Sequence, residues 1–415
     1  VINKREEVNY LFFTIIYNMK KVYIYIIILI LCLGCKKTNK NIQIINYKVI
    51  DIVNPIEINI EELVREYEII VLETKDESLL YDIFQLKIID NYFYILDGSM
   101  TSIFIFDHTG NFINKINNIG NGPNEYLKIE SFEVDKINKK IIISDAFSKR
   151  IFVYDQEGNQ ENVIQLNFQP LLILSNGEYG YINLYSGIKG LYDNETMEKY
   201  NIHLLDKEGK YIRSYKKNET DKRIDLRSKL AVQSFENGDI LYQPVLSDTI
   251  YCIRNNIVEP YFVLNNKSNY KILSENQRKK IELKYGEKNM IEEMENKNYL
   301  LPIGNVLDLK DYFFTTFGGW DIEKTMYLYY SKEKNKSLTF LRNKVKGNEG
   351  YKEIFLTLPN ACYENDIYIS PHPFIIDTYK NKLPESKLKD SLNNIDLEDN
   401  PVIIKFKVNI EKYLD

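Results

Sequence analysis

The run Gly120-Asn121-Gly122-Pro123-Asn124-Glu125-Tyr126 is the segment of this 415-residue chain most like a ligand cradle. Glycines let backbone N–H groups approach an anion when such a run opens a helix. No helical pattern follows it, so a dinucleotide reading fails on context. The chain has no G-x-S-x-G elbow and no phosphate loop ending in G-K-[ST]. His108, His203 and His372 are too widely spaced to show a zinc site. Cys252 and Cys362 lie far apart and read as small buried apolar residues, although a disulfide between them stays open. Two basic residues, Lys149-Arg150, precede a strand-like run, and the single tryptophan, Trp320, follows Gly318-Gly319. Arg150 contacts a ligand, or it pairs with Asp145 or a neighbouring unit. Trp320 stacks on a sugar or aromatic ring, or it packs as core or lid. The glycine run binds something, or it only shapes a connection.

The elements that would position these residues repeat. NYFYILDGSMTSIFIFDHTGNF (91–112) aligns without a gap on KKIIISDAFSKRIFVYDQEGNQ (139–160), so that Asp97, Ile103, Asp107 and Gly110 fall on Asp145, Ile151, Asp155 and Gly158. Looser copies follow at 201–215 and 249–264. A period near 50 residues signals a propeller or solenoid. Alternating apolar residues mark strands, and Asp-x-x-Gly between them is turn chemistry. Four strands per unit make a propeller blade, whose apolar faces only its neighbours can bury.

The pattern predicts an all-β, six-bladed β-propeller with four-stranded blades. Blades one to five cover about 82–116, 128–167, 170–217, 229–264 and 302–342. Blade six has EIFLTLP, DIYISPH and NPVIIKFKV (400–408) but no fourth strand, so REYEIIVLE (65–73) is expected to complete it and close the ring. Propeller topology puts each connection between strands two and three, and each crossover to the next blade, on one face. The elaborations 117–127, 187–199, 265–300, 317–325 and 378–399 all fall there, with helical composition in 265–300 and 378–399. Loops on a rigid scaffold are common binding sites.

Ahead of this body, Met19-Lys20-Lys21 and the apolar run VYIYIIILILCLG (22–34) have the form of a signal peptide, too short for a permanent membrane span. Leu31-Cys32-Leu33-Gly34-Cys35 resembles a bacterial lipobox, which implies lipid attachment at Cys35. On this reading residues 1–18 are an upstream extension, 19–34 the signal, 35–60 a tether and 61–415 the propeller. A cleaved signal with an incidental cysteine, and a membrane helix taking in 11–17, are the alternatives. The net charge of -5 argues against a nucleic-acid binder.

Residues 119–159 resemble an NHL-type repeat, and the chain is similar to the six-bladed β-propeller lipoproteins of Bacteroidota, largely a domain of unknown function. The resemblance rests on Gly120 to Tyr126, on YQPVLSDTIYCI (242–253) and on Asn400-Pro401-Val402. It implies fold and envelope location rather than activity. The expected function is a lipid-anchored binding or interaction module for a glycan, peptide or envelope protein, acting without a cofactor through loops on one face. The alternative is a hydrolase or lyase with a divalent metal held in the central channel. Lys36-Lys37-Thr38-Asn39 lacks acidic residues after the cysteine, which favours the periplasmic side over the cell surface.

Overall fold

The computed structural model describes residues 47–414 except 178–179, 185–199, 218–231, 236, 245, most of 275–298, and 319–320. The signal segment, Cys35, the loop 187–199, most of the helix-like stretch 275–298 within the insertion 265–300, and Trp320 therefore lie outside the described residues.

Six sheets form the blades. Blade one comprises Ile83–Ile89, Tyr92–Asp97, Ile103–Asp107 and Phe112–Ile116, and blade two Ser131–Asp135, Lys140–Asp145, Arg150–Asp155 and Gln160–Gln165. Blade three comprises Leu172–Ser175, Tyr181–Leu184, Tyr200–Leu205 and Tyr211–Lys217. Blade four comprises Val232–Ser234, Ile240–Tyr242, Thr249–Arg254 and Ile257–Asn266, and blade five Tyr299–Asp308, Tyr312–Gly318, Met326–Ser331 and Lys336–Leu341. Blade six comprises Ala361–Tyr363, Asp366–Ile369 and Val402–Val408, and its outermost strand is Val64–Val71. The early segment thus completes the last blade, with Ile403 opposite Ile70 and Phe406 opposite Tyr67.

Burial shows why these sheets close into a ring. Described apolar residues form clusters that each join two neighbouring blades: Tyr94 with Phe132, Ile151 with Ile173, Ile182 with Ile240, and Leu241 with Phe313. Phe314 with Ile369, and Ile70 with Phe104, complete the circuit through blade six back to blade one. No blade hides both faces by itself, so the apolar surface leaves water only when the circuit closes. The internal repeat survives in the geometry. Blades one and two carry the same register shift, at Ile105/Phe106 and at Val153/Tyr154. Gly110 and Gly158 take φ of 93° and 88° in equivalent turns, where a side chain would be strained.

Two expectations are corrected. EIFLTLP is not a strand, because Glu349–Phe355 is an α-helix whose cap, Asn348, accepts the Tyr351 N–H through its side chain. Tyr351, Ile354 and Phe355 lie on the buried side of that helix, at the spacing of one helical face. Blade six instead begins at Ala361–Tyr363. The second correction concerns the tether. Lys48–Ile52 pairs in parallel with the outer strand of blade four, burying Ile50 and Ile52. Val53 O then accepts the Thr339 hydroxyl, Ile58–Asn59 pairs with Val345–Lys346, and Ile60 is buried. The folded body therefore takes in residues 48–60 as a strap along blades four to six. In the blade-six insertion, Lys387–Asn393 is a helix, in keeping with the composition of 378–399, and Pro373–Tyr379 forms another just before it. Cys252 and Cys362 are free thiols.

Candidate functional site

The glycine run forms the crossover from blade one to blade two, and its side chains are largely spent on its own shape. Glu125 Oε2 accepts the Gly122 N–H at 2.7 Å, and Glu125 N–H donates to Gly122 O at 3.2 Å. The carboxylate lies so close over Gly120 that a Cβ there would sit 1.8 Å from Oε2. A Cβ at Gly120 would therefore push the Glu125 carboxylate off the Gly122 N–H. Tyr126 is fully buried, its ring edge-on to Phe152 at 5.7 Å. Its hydroxyl accepts the Asn118 N–H and donates to Thr101 O, both at 3.0 Å. Burial pushes this phenol well above its ordinary range, so it stays protonated and able to donate. Pro123 and Asn124 are exposed at the tip, beside Asn121.

Arg150 does not pair with Asp145. Its Nη1 donates to Pro123 O at 2.8 Å and Gly122 O at 3.3 Å, and its guanidinium lies 5.2 Å from the centre of the Phe152 ring. It therefore braces the tip of the crossover from the neighbouring turn. Asp145, buried, uses Oδ2 to accept the Leu127 N–H at 2.8 Å and Oδ1 to accept the Phe147 N–H at 2.9 Å. The equivalent Asp97 accepts the Tyr81 N–H at 2.7 Å and the Ser99 N–H at 3.0 Å. Each aspartate ties a crossover to the turn between strands two and three of the blade that follows.

These ties display side chains that sequence reasoning did not single out. Tyr81 is 83% exposed and Phe147 67%, with Leu79 and Leu127 also exposed. Contacts between the turns join them into a series on one surface. Tyr81 lies against Gly98, Met100 O accepts the Ile129 N–H, and Leu127 shares Asp145 with Phe147. Ile322 in blade five and Phe374 in blade six are exposed on connections of the same face. A turn aromatic and a core aromatic look alike in composition; only the alignment of Phe147 with Ser99 marks it as a turn residue. Trp320, adjoining the Ile322 turn in sequence, lies outside the described residues.

Two buried carboxylates of the innermost strands are paired with lysines. Glu133 is 2.7 Å from Lys87 of blade one, and Asp308 is 2.8 Å from Lys332. Burial pushes the Asp308 carboxyl up, opposed by Lys332. Among the described residues no three His, Cys, Asp or Glu side chains form a group that could hold a metal ion. Burial raises the Cys252 thiol to about 11 and the Cys362 thiol to about 12, so neither is an activated nucleophile.

The fold and this face define a six-bladed β-propeller whose crossovers and strand-two-to-strand-three connections share one side. Residues 43–407 match the family described as Domain of unknown function (DUF4934), and the chain belongs to that family. It is similar to a Bacteroides fragilis protein described as exported, at 16% identity and a TM-score of 0.72, over 87% of this chain and 100% of that one. A DUF4221 family member from Bacteroides vulgatus is similar at 12% identity and a TM-score of 0.48, over 84% and 97% of the two chains. No curated protein matches. Identities this low speak to fold alone. Among the described residues no helix is long and apolar enough to cross a membrane.

Proposed function

We propose that the protein is a binding module of the cell envelope that engages a glycan, peptide or partner protein through its loop-bearing face. The observation that carries this reading is the exposed series Leu79, Tyr81, Leu127 and Phe147, held in place by Asp97 and Asp145. Water-exposed aromatic rings on braced turns offer contact area with little conformational entropy left to lose. In this proposal the glycine run shapes the platform, and its exposed tip at Asn121, Pro123 and Asn124 borders it. Lipid attachment at Cys35, on the periplasmic side, belongs to the same proposal and rests on the sequence 31–35.

The test is titration of envelope oligosaccharides and peptides against the wild type and a Tyr81→Ala/Phe147→Ala double variant. Losing two ring contacts should weaken a bound ligand by roughly 10-fold or more at an unchanged melting temperature. A ligand whose affinity is the same for both proteins would move the site off this face. For the anchor, Cys35→Ser should abolish incorporation of labelled fatty acid; retained label would refute attachment there.

A further inference from the structure

The ring order gives certain contacts a meaning that contacts between adjacent blades lack. Blades two, four and six are separated from one another by an intervening blade, so side chains from two of them can touch only near the axis. Ile137 lies in the turn between the first two strands of blade two. A Cβ placed on Gly238, in the corresponding turn of blade four, would be 2.6 Å from Ile137 Cδ1. One placed on Gly177 of blade three would be 3.4 Å from the same atom. Gln233 of blade four brings Nε2 to 3.3 Å from Cys362 Sγ of blade six, while Nε2 also donates to Asp308 O of blade five at 3.1 Å. The charge of Lys136, beside Ile137, acts on that same thiol from blade two.

We infer that the propeller axis is a blind well, closed by Ile137, Gln233 and Cys362 at the end where first strands turn into second strands. A solute then approaches the axis from the opposite, loop-bearing face. The closing groups are drawn from alternate blades, and Gln233 is committed to Asp308 and Cys362, so the seal is built from contacts the ring makes with itself. This inference does not depend on what the loop-bearing face binds.

Cys362 reports on the seal. Site-resolved mass spectrometry of the full-length, folded chain follows the rate of its alkylation by N-ethylmaleimide. Ile137→Ala should raise the folded-state rate by roughly 10-fold, whereas Ile113→Ala, on the outer strand of blade one, should leave it unchanged. Equal rates in the two variants would overturn the inference. A second measurement stands if Ile137→Ala does not fold. Gly238→Ala should lower the melting temperature by several degrees, and Ile137→Val, which removes only Cδ1, should restore part of that loss in the double variant. If the loss is purely local backbone strain at Gly238, nothing is restored, and the cross-axis contact is refuted.

Discussion

Replacing Asn400 with alanine tests how the ring is fastened where the chain begins and ends its circuit. Asn400 is 1% exposed and precedes the third strand of blade six. Its Oδ1 accepts the Leu80 N–H at 2.7 Å, and its Nδ2 donates to Glu73 O at 2.8 Å and Ser78 O at 2.9 Å. One side chain thus satisfies three backbone groups of the crossover from blade six to blade one. Alanine takes the Asn400 partner from the Leu80 N–H and Ser78 O, while Glu73 O still accepts the Ser78 hydroxyl at 2.7 Å, and a buried group stranded this way costs about 1–3 kcal/mol. Partial rehydration makes the sum less than additive, so a loss of about 2–4 kcal/mol is expected. The assay is equilibrium urea unfolding followed by far-UV circular dichroism, reading a lower midpoint at an unchanged slope. Asn400→Asp sharpens the test, since a carboxylate can still accept from Leu80 but faces two carbonyl oxygens it cannot serve. It should be at least as unstable as the alanine variant at neutral pH. A loss below about 1 kcal/mol for alanine, or wild-type stability for aspartate, would refute the clasp.

Two further perturbations probe other parts of the ring. Gly120→Ala should cost about 1–3 kcal/mol, because the new Cβ takes the place of Glu125 Oε2 and releases the Gly122 N–H. Adding Glu125→Ala should then cost less than its own single effect; simple additivity in the unfolding midpoints would exclude that contact. His203 is buried in blade three with Nδ1 2.8 Å from Ser214 Oγ, and burial lowers its pKa from 6.5 to about 4. The folded state therefore favours the neutral ring: its contribution is fully present above about pH 6.5 and is lost as pH falls through about 4, roughly 3 kcal/mol in all. His203→Gln should flatten the stability profile between pH 7 and 4 by about that amount, and an unchanged profile would contradict the assignment.

Local periodicity makes most of the ring legible. The alignment of 91–112 on 139–160 carries turn chemistry, strand alternation and even the shared register shift from blade one to blade two, because each is set by residues within one blade. Closure by Val64–Val71 is readable by elimination, since blade six lacks a strand and one is spare. The sequence misleads where the deciding partner lies far off or a neighbouring pattern hides the true one. Ile50 and Ile52 alternate with Val49 and Asp51 as a strand does, but their partner strand begins at Ile257, and nothing local announces it. Tyr351, Ile354 and Phe355 carry a helical spacing that the apolar run EIFLTLP masks. For the candidate site, residue type singles out Gly120 to Tyr126 and Arg150, but it cannot show that their polar groups face one another.

That last distinction bears on where recognition is to be sought. A motif dense in glycine, carboxylate and guanidinium invites a ligand, yet here Glu125 serves Gly122, Arg150 serves Pro123, and Tyr126 is buried beneath them. A ligand drawing on those groups would first have to break bonds that shape the crossover. The exposed rings at Tyr81 and Phe147 ask no such exchange, because Asp97 and Asp145 hold only their backbones and leave the side chains in water. Covering them removes apolar surface at about 25 cal/mol per Å² without breaking the hydrogen bonds that Asp97 and Asp145 make to the turns. The chemistry-bearing residues thus act as a frame, and the energetically available surface is the apolar one that the frame presents.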